Sequence, residues 1–410
     1  MVTSNTQTAR NRIETSASRE PPMGEAARIL AALRDLAPEF AARSKEIEDG
    51  RRVPNDIAVK LRRLGLFRTM LPRSLGGLEL TAADVVPMIE TAATADNSVG
   101  WVTMIGVASQ IFCTRASKAA LERVYLQDPD ALVVGVGTPA GQAEKVKGGY
   151  RISGRWPFAS GCQNAQWIAG HVVICKDGQP LMSEQGPQTR FVLLPADRWQ
   201  IEETWQASGL TGTGSHHVTL NNAEVPEEEA FDLFHGKSSV PGPLESTVIP
   251  FNASFHAAVA IGIAAGAMAD LADLASAGRR QLFAATDLRD SPVFQHEFGR
   301  LNAQLRAARA LTQTQVEKHW RRAIEGTLDS KADLAEGLQG SAWVHAACTD
   351  IVSGCYTLGG ASSVLNTSPL QRRLRDIHAA RQHFFAQERH YGAAGKNALG
   401  FPPVDPISGH

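Results

Sequence analysis

Cysteine is scarce in this chain. Its 410 residues hold 5, at Cys113, Cys162, Cys175, Cys348 and Cys355, and none forms a CxxC pair. An odd count spread so widely argues against a disulfide framework or a cysteine-built zinc site. Net charge is nearly absent: 41 basic against 42 acidic side chains leave -1. Such a balance suggests neither nucleic acid nor an anionic membrane as partner. Apolar runs approaching the ~20 residues that span a bilayer are missing, so no membrane segment is expected. The opening stretch MVTSNTQTARNRIETSASREPP lacks the apolar core of a secretory signal. The expectation is a cytoplasmic protein with a disordered tail over residues 1–22. GxSxG, HExxH and P-loop signatures are absent. Histidines at i, i+4 with carboxylates around them are absent too, so no metal is expected.

What is present falls into three textures. Residues 23–127 carry apolar side chains at three- and four-residue spacing and read as a helical domain. Pro38 predicts a bend or break, Pro54 a helix start, and Thr81 a cap for a helix over 82–95. Residues 128–240 switch to short strand-like runs between Gly, Pro, Asn and Asp turns, predicting an antiparallel barrel or sandwich. Residues 241–396 return to long helices, four in succession, as in an up-and-down bundle. An extended tail is expected over 397–410. The fold class is therefore α+β and mainly α.

Several stretches carry candidate chemistry. VGVGTPAG, with Thr138, lacks the GxGxxG spacing and reads as a turn whose backbone can approach a planar ring. In WPFASG, Trp156, Phe158 and Ser160 alternate, which places them on one face of a strand. Two aromatics and a hydroxyl there can pack on a flavin ring, while the pattern by itself favours an inward core face with a satisfied serine. TWQASGLTGTGSHH brings Thr213 and Ser215 into a glycine-rich loop able to hold a phosphate, or into a plain hairpin. Gly359 and Gly360 end a helix and allow close backbone approach. The stretch 369–390 reads as one helix bearing His378, His383 and His390, with Asp376 and His383 two turns apart on one face. Phe384 and Phe385 give His383 an apolar setting suited to acid–base work, although a plain surface helix fits the same spacing.

Taken together, LRRLGLFRTMLPRSLGGLEL, GGYRISGRWPFASGCQNAQWI, WQASGLTGTGSHHVTLNNAEVP and LGGASSVLNTSPLQRRLRD resemble the acyl-CoA dehydrogenase superfamily over about residues 26–395. The resemblance implies an N-terminal α domain, a middle β domain and a C-terminal four-helix bundle, usually as a homotetramer with flavin between the last two. The catalytic glutamate of the dehydrogenases would fall at Phe384, and Thr211 stands where an Arg is usual. RDIHAARQH, WPFASG and NSVGWV instead resemble the two-component flavin monooxygenases on this scaffold. That likeness implies reduced FMN or reduced FAD, O2 as co-substrate, a flavin C4a-hydroperoxide, a separate NAD(P)H:flavin reductase and a small aromatic substrate. The missing Arg inclines the reading toward FMN.

It carries a catalytic role to His383 and Ser160. Trp101, His383 and Phe384 would meet the substrate; Thr138, Trp156, Phe158, Ser160, Thr213, Ser215, Gly359 and Gly360 would meet the cofactor. Asp376 is expected to make a structural ion pair with Arg372 or Arg375. Two rivals stay open: an acyl-CoA dehydrogenase or oxidase with a displaced base, and a non-catalytic ligand-binding homo-oligomer.

Overall fold

The structure, a computed structural model, describes residues 24–402 apart from 185 and 329. The expected tail 1–22 lies outside the described residues.

Helices lead the chain: α1 (Glu25–Ala42), α2 (Ser44–Gly50), α3 (Asn55–Arg63), α4 (Ala82–Ala95), α5 (Asn97–Cys113) and α6 (Lys118–Tyr125). α4 starts on a reciprocal cap, Thr81 Oγ1 accepting the Asp84 N–H at 3.1 Å and Asp84 Oδ2 the Thr81 N–H at 3.0 Å. Asp96 caps α5 through the amides of Ser98 and Val99. α1 does not break at Pro38. Ile29, Leu33 and Phe40, buried on both sides of the proline, carry the helix through the one hydrogen bond it lacks.

Strands follow: β1 (Val133–Val146), β2 (Gly149–Ala159), β3 (Trp167–Lys176), β4 (Gln179–Pro180), β5 (Met182–Ser183), β6 (Gly186–Pro187), β7 (Thr189–Pro195), β8 (Gln200–Glu202), β9 (His216–Pro226) and β10 (Ala230–Phe231). The main sheet runs β10-β7-β3-β1-β2-β9-β8, with β4 on β3, while β5 and β6 pair apart. Its pairs are antiparallel except β1 with β3, which is parallel, so the sheet is mixed. VGVGTPAG is not a turn. It lies inside β1, where the register on β3 slips between Val136 and Gly141 and leaves 137–140 exposed. Gly141 must be glycine for packing: a Cβ there would sit 2.1 Å from the Trp156 ring.

The last section holds α7 (Ile249–Ser276), α8 (Pro292–Ile324), α9 (Lys331–Leu358), α10 (Pro369–Ala380) and α11 (His390–Ala398). α7 to α10 form the four-helix bundle, and α7 also packs on α4 and α5. α7 is long and apolar enough to cross a membrane by composition, contrary to expectation, yet 72% of its most apolar window is buried inside the protein. The stretch 369–390 is not one helix. α10 ends at Ala380, and a 3-10 turn at Phe384–Ala386 precedes α11. His383 is extended there (φ -68°, ψ 152°) and its Nδ1 accepts the Phe385 N–H at 3.4 Å, a local bond that competes with helix. α11 reaches Ala398, into the stretch expected to be an extended tail.

Candidate active site

Trp101, on α5, is the wall that joins the two halves of the site. Its Nε1 donates to Ser160 Oγ at 3.2 Å. Its ring stands edge-on to His256 at 5.3 Å between centroids and to His383 at 5.6 Å. α5 is buried almost all round, which fixes this ring between the sheet and the bundle.

On the sheet side lies a chain of hydroxyls. Ser160 follows the end of β2, and its Oγ is 2.7 Å from Ser215 Oγ. Ser215 Oγ is 2.6 Å from Thr213 Oγ1, which donates to the Leu210 carbonyl at 2.7 Å. All three side chains are buried. Beside them Phe158 turns outward, 63% exposed at φ 65°, with its ring edge-on to Trp205. That positive φ breaks the alternation expected of the strand. Trp156 therefore does not share a face with Phe158. It is fully buried, donates Nε1–H to the His171 carbonyl at 2.6 Å, and packs on Trp199. Its expected place against the cofactor is corrected to the core of the β domain.

On the bundle side lie imidazoles. His256 of α7 stacks on His383 with centroids 4.1 Å apart and planes 17° apart, and Phe385 stacks on both. His345 of α9 completes the group, its Nδ1 2.8 Å from the Ser341 carbonyl. Burial pushes the His383 ring down to about 4, and the neighbouring His345 adds to the effect. His345 is likewise pushed down to about 4 by burial. His256 falls well below the ordinary range, through burial first and then through His383 and His345. All three are uncharged at neutral pH. A peptide N–H can only donate, so His383 Nδ1 accepts from Phe385 and the neutral ring carries its proton on Nε2.

Asp376 binds the two halves together. Its Oδ1 accepts the Leu210 N–H at 2.6 Å and its Oδ2 accepts Asn97 Nδ2–H at 2.6 Å. Asn97 Oδ1 in turn accepts from Arg373, which pairs with Asp270. Burial raises the Asp376 carboxyl to about 6, against the lowering by its bonds from Asn97 and Leu210. The expected ion pair is not made: Arg375 goes to Glu48 and the Ser208 carbonyl instead. Asp376 and His383 do not share a helix face, because α10 has ended between them.

Of the other expected residues, Phe384 turns away. It sits edge-on to His390 and Phe385 and under the Arg389 guanidinium, so Phe385 takes the place proposed for it. His378 is exposed, and His390 is buried with Nε2 2.8 Å from the Phe384 carbonyl. Thr138 is exposed on β1 next to Gly137, whose carbonyl bonds His171 Nδ1. Gly359 and Gly360 end α9, with Gly360 at φ 67°, roughly 20 Å along the helix from His345 by the 1.5 Å rise per residue. Sequence reasoning missed His256 and His345, and it placed Phe385 only as apolar setting and Asn97 only within the NSVGWV segment. His256 left a signal: it is the one titratable side chain in the uncharged first half of α7.

Residues 24–127 match the acyl-CoA dehydrogenase N-terminal domain model, and 254–388 match the acyl-CoA dehydrogenase C-terminal domain model. The indole-3-acetate monooxygenase of Pseudomonas putida is 31% identical over 88% of this chain and 91% of its own. The chain belongs to the acyl-CoA dehydrogenase family, in its flavin-dependent monooxygenase branch. The FADH(2)-dependent resorcinol hydroxylase, oxygenase component, of Rhizobium sp. is 30% identical over 92% of this chain and 95% of its own. The crystal structure of 3-HSA hydroxylase from Rhodococcus sp. RHA1 superposes with a TM-score of 0.84, at 25% identity, over 93% of this chain and 99% of that one. Phe384, where the resemblance would place the dehydrogenases' glutamate, faces His390 rather than the imidazole cluster.

Proposed function

We propose that the protein is the oxygenase component of a two-component monooxygenase that hydroxylates a small aromatic substrate with reduced flavin and O2. The observation that carries this reading is the double role of Trp101. One side chain holds the hydroxyl chain through Nε1 and walls the imidazole pair with its ring edges. The hydroxyl chain and the imidazole pair therefore meet on one indole ring.

The residues fit a flavin. Phe158, a large aromatic left open at the rim, is suited to a planar ring, and Ser160 sits two residues on with a hydroxyl already ordered. Phe158, Ser160 and the Thr213–Ser215 loop would hold the cofactor. Reduced FMN or FAD, when bound, supplies the electrons that allow one atom of O2 to enter the ring while the other leaves as water. His383 faces the substrate side, where its Nε2–H can donate to a phenol oxygen and, once Nδ1 has taken up a proton, can release the Nε2 proton there. Trp101, His256 and Phe385 pack on the His383 ring and give it an apolar setting.

A separate NAD(P)H:flavin reductase is part of the reading, supported by the relative named as an oxygenase component. Assembly as a homotetramer is supported by the family resemblance. The substrate class is supported by relatives named for indole-3-acetate and resorcinol.

Anaerobic addition of reduced FMN or FAD to the protein, followed by oxygen and a screen of phenols, indoles and fused aromatics, tests it. Hydroxylated product is expected with reduced flavin alone, and NADH oxidation by the purified chain is not. Bleaching of bound oxidised flavin by an acyl-CoA, without reductant, would replace this reading with a dehydrogenase one.

A further inference from the structure

The hydroxyl chain has only one consistent arrangement of its protons. A carbonyl cannot donate, so the Thr213 hydroxyl spends its single hydrogen on Leu210 O. Thr213 Oγ1 must then accept from Ser215, which spends that hydroxyl's hydrogen. Ser215 Oγ must in turn accept from Ser160. Ser160 Oγ has donated its hydrogen inward and accepts Trp101 Nε1–H with one lone pair. One lone pair remains, and no hydrogen. We infer that Ser215 and Thr213 fix Ser160 as a pure acceptor, so that the site selects a flavin bearing N–H at its central ring, the reduced form, over the oxidised form.

The selection rests on the flavin reading above and adds to it a cause within this chain. Oxidised isoalloxazine offers a bare nitrogen at N5, which needs a donor. Reduced isoalloxazine offers N5–H, which needs an acceptor. A free serine hydroxyl serves either by rotating, and so discriminates between them weakly. A serine whose hydrogen is committed to a buried partner serves only the second. The commitment is firm because each hydroxyl in the chain is buried and already holds a partner in its neighbour. Its anchor is the Leu210 carbonyl, on a residue held at φ 50° with its N–H on Asp376. Ser215 and Thr213 are thus positioning residues that act through Ser160.

The test is the affinity of the protein for oxidised and for reduced FMN and FAD, measured anaerobically by flavin fluorescence and absorbance, with the midpoint potential of the bound flavin as second readout. Ser215→Ala frees the Ser160 hydrogen. Thr213→Val frees that of Ser215, which can then point at Ser160 and turn its hydrogen outward. Both changes are expected to lower the preference for reduced over oxidised flavin by about tenfold, the scale of one hydrogen bond. The bound potential should fall by about 30 mV for a two-electron couple, the same tenfold converted. Ser215→Thr keeps the hydroxyl and should keep the preference. Thermal unfolding identifies any variant that does not fold, and the two removals are independent of each other. An unchanged preference in either folded removal variant overturns the inference while leaving the flavin reading intact. Absence of binding by both redox forms in the unaltered protein overturns the flavin reading and this inference with it.

Discussion

His256 and His383 lie ring on ring, 4.1 Å apart, although they come from α7 and from the turn after α10. Two cationic imidazoles at that distance would repel strongly, so at most one of the pair takes a proton at a time. His256 is the more deeply buried, and that burial holds it well below the ordinary imidazole range. His383 is therefore the member able to cycle.

His383→Ala is expected to slow hydroxylation by about 10²–10⁴-fold, the usual worth of acid–base assistance. Reduced-flavin binding should stay close to that of the parent, because Ser160 and its chain do not touch His383. Single-turnover product formation measured beside a flavin titration checks both halves. Turnover at the parental rate would remove His383 from the chemistry.

Ser160→Ala removes the acceptor at the end of the hydroxyl chain and leaves Trp101 Nε1 without its partner. The expected outcome is more hydrogen peroxide per product, by roughly two- to tenfold for one lost hydrogen bond. Peroxide and product are assayed in the same reaction. An unchanged ratio would show that Ser160 does not govern coupling.

Asp376→Asn puts a donor where Asn97 also donates, and should destabilise the fold by about 1–3 kcal/mol. The double change Asn97→Asp with Asp376→Asn restores every pairing. Asn at 376 accepts from Leu210 N–H and donates to Asp at 97, which also accepts from Arg373. Thermal midpoints, with hydrogen exchange over 209–215, should show the double variant recovering most of the loss. A double variant no better than the single one would mean that charge at 376, rather than matched donors and acceptors, holds this junction.

Buried histidines set a pH dependence of stability. His319, His345 and His383 are each pushed by burial from the ordinary 6.5 to about 4. Between those values the unfolded chain binds protons that the folded chain refuses, so stability falls as pH drops from 6.5 toward 4. Asp376, raised to about 6, has the opposite slope between 3.8 and 6 and offsets part of it. His319 isolates the effect, being fully buried with neither ring nitrogen hydrogen-bonded. His319→Leu should raise the thermal midpoint and flatten its decline below pH 6.5. A decline as steep as the parent's would show that His319 is not held neutral.

Much of the architecture was legible in residue order. Thr81 and Asp84 mark the start of α4, and Gly360 the end of α9, because caps are local chemistry. The site was legible where a short segment carries it, as at Ser160, and illegible where tertiary contacts overrule the local pattern. Phe158 adopts a positive φ that alternation cannot foresee, so Trp156 and Phe158 part company. The end of α10 before His383 hides because 369–390 is helix-compatible throughout, and a ring-to-backbone bond decides it. His256 stayed unnoticed because its partners stand on other elements, far away in sequence.

That dispersal also bears on how the protein comes together. The bonds from Asn97 and Leu210 to Asp376 close loops of 279 and 166 residues. Closing such loops costs chain entropy that grows only slowly with length, about 0.6 kcal/mol per doubling, but the ends must find each other before anything repays it. The helices and hairpins can form from neighbours alone. The site cannot assemble until the last helices dock on the first, so it is an end product of folding rather than a seed for it.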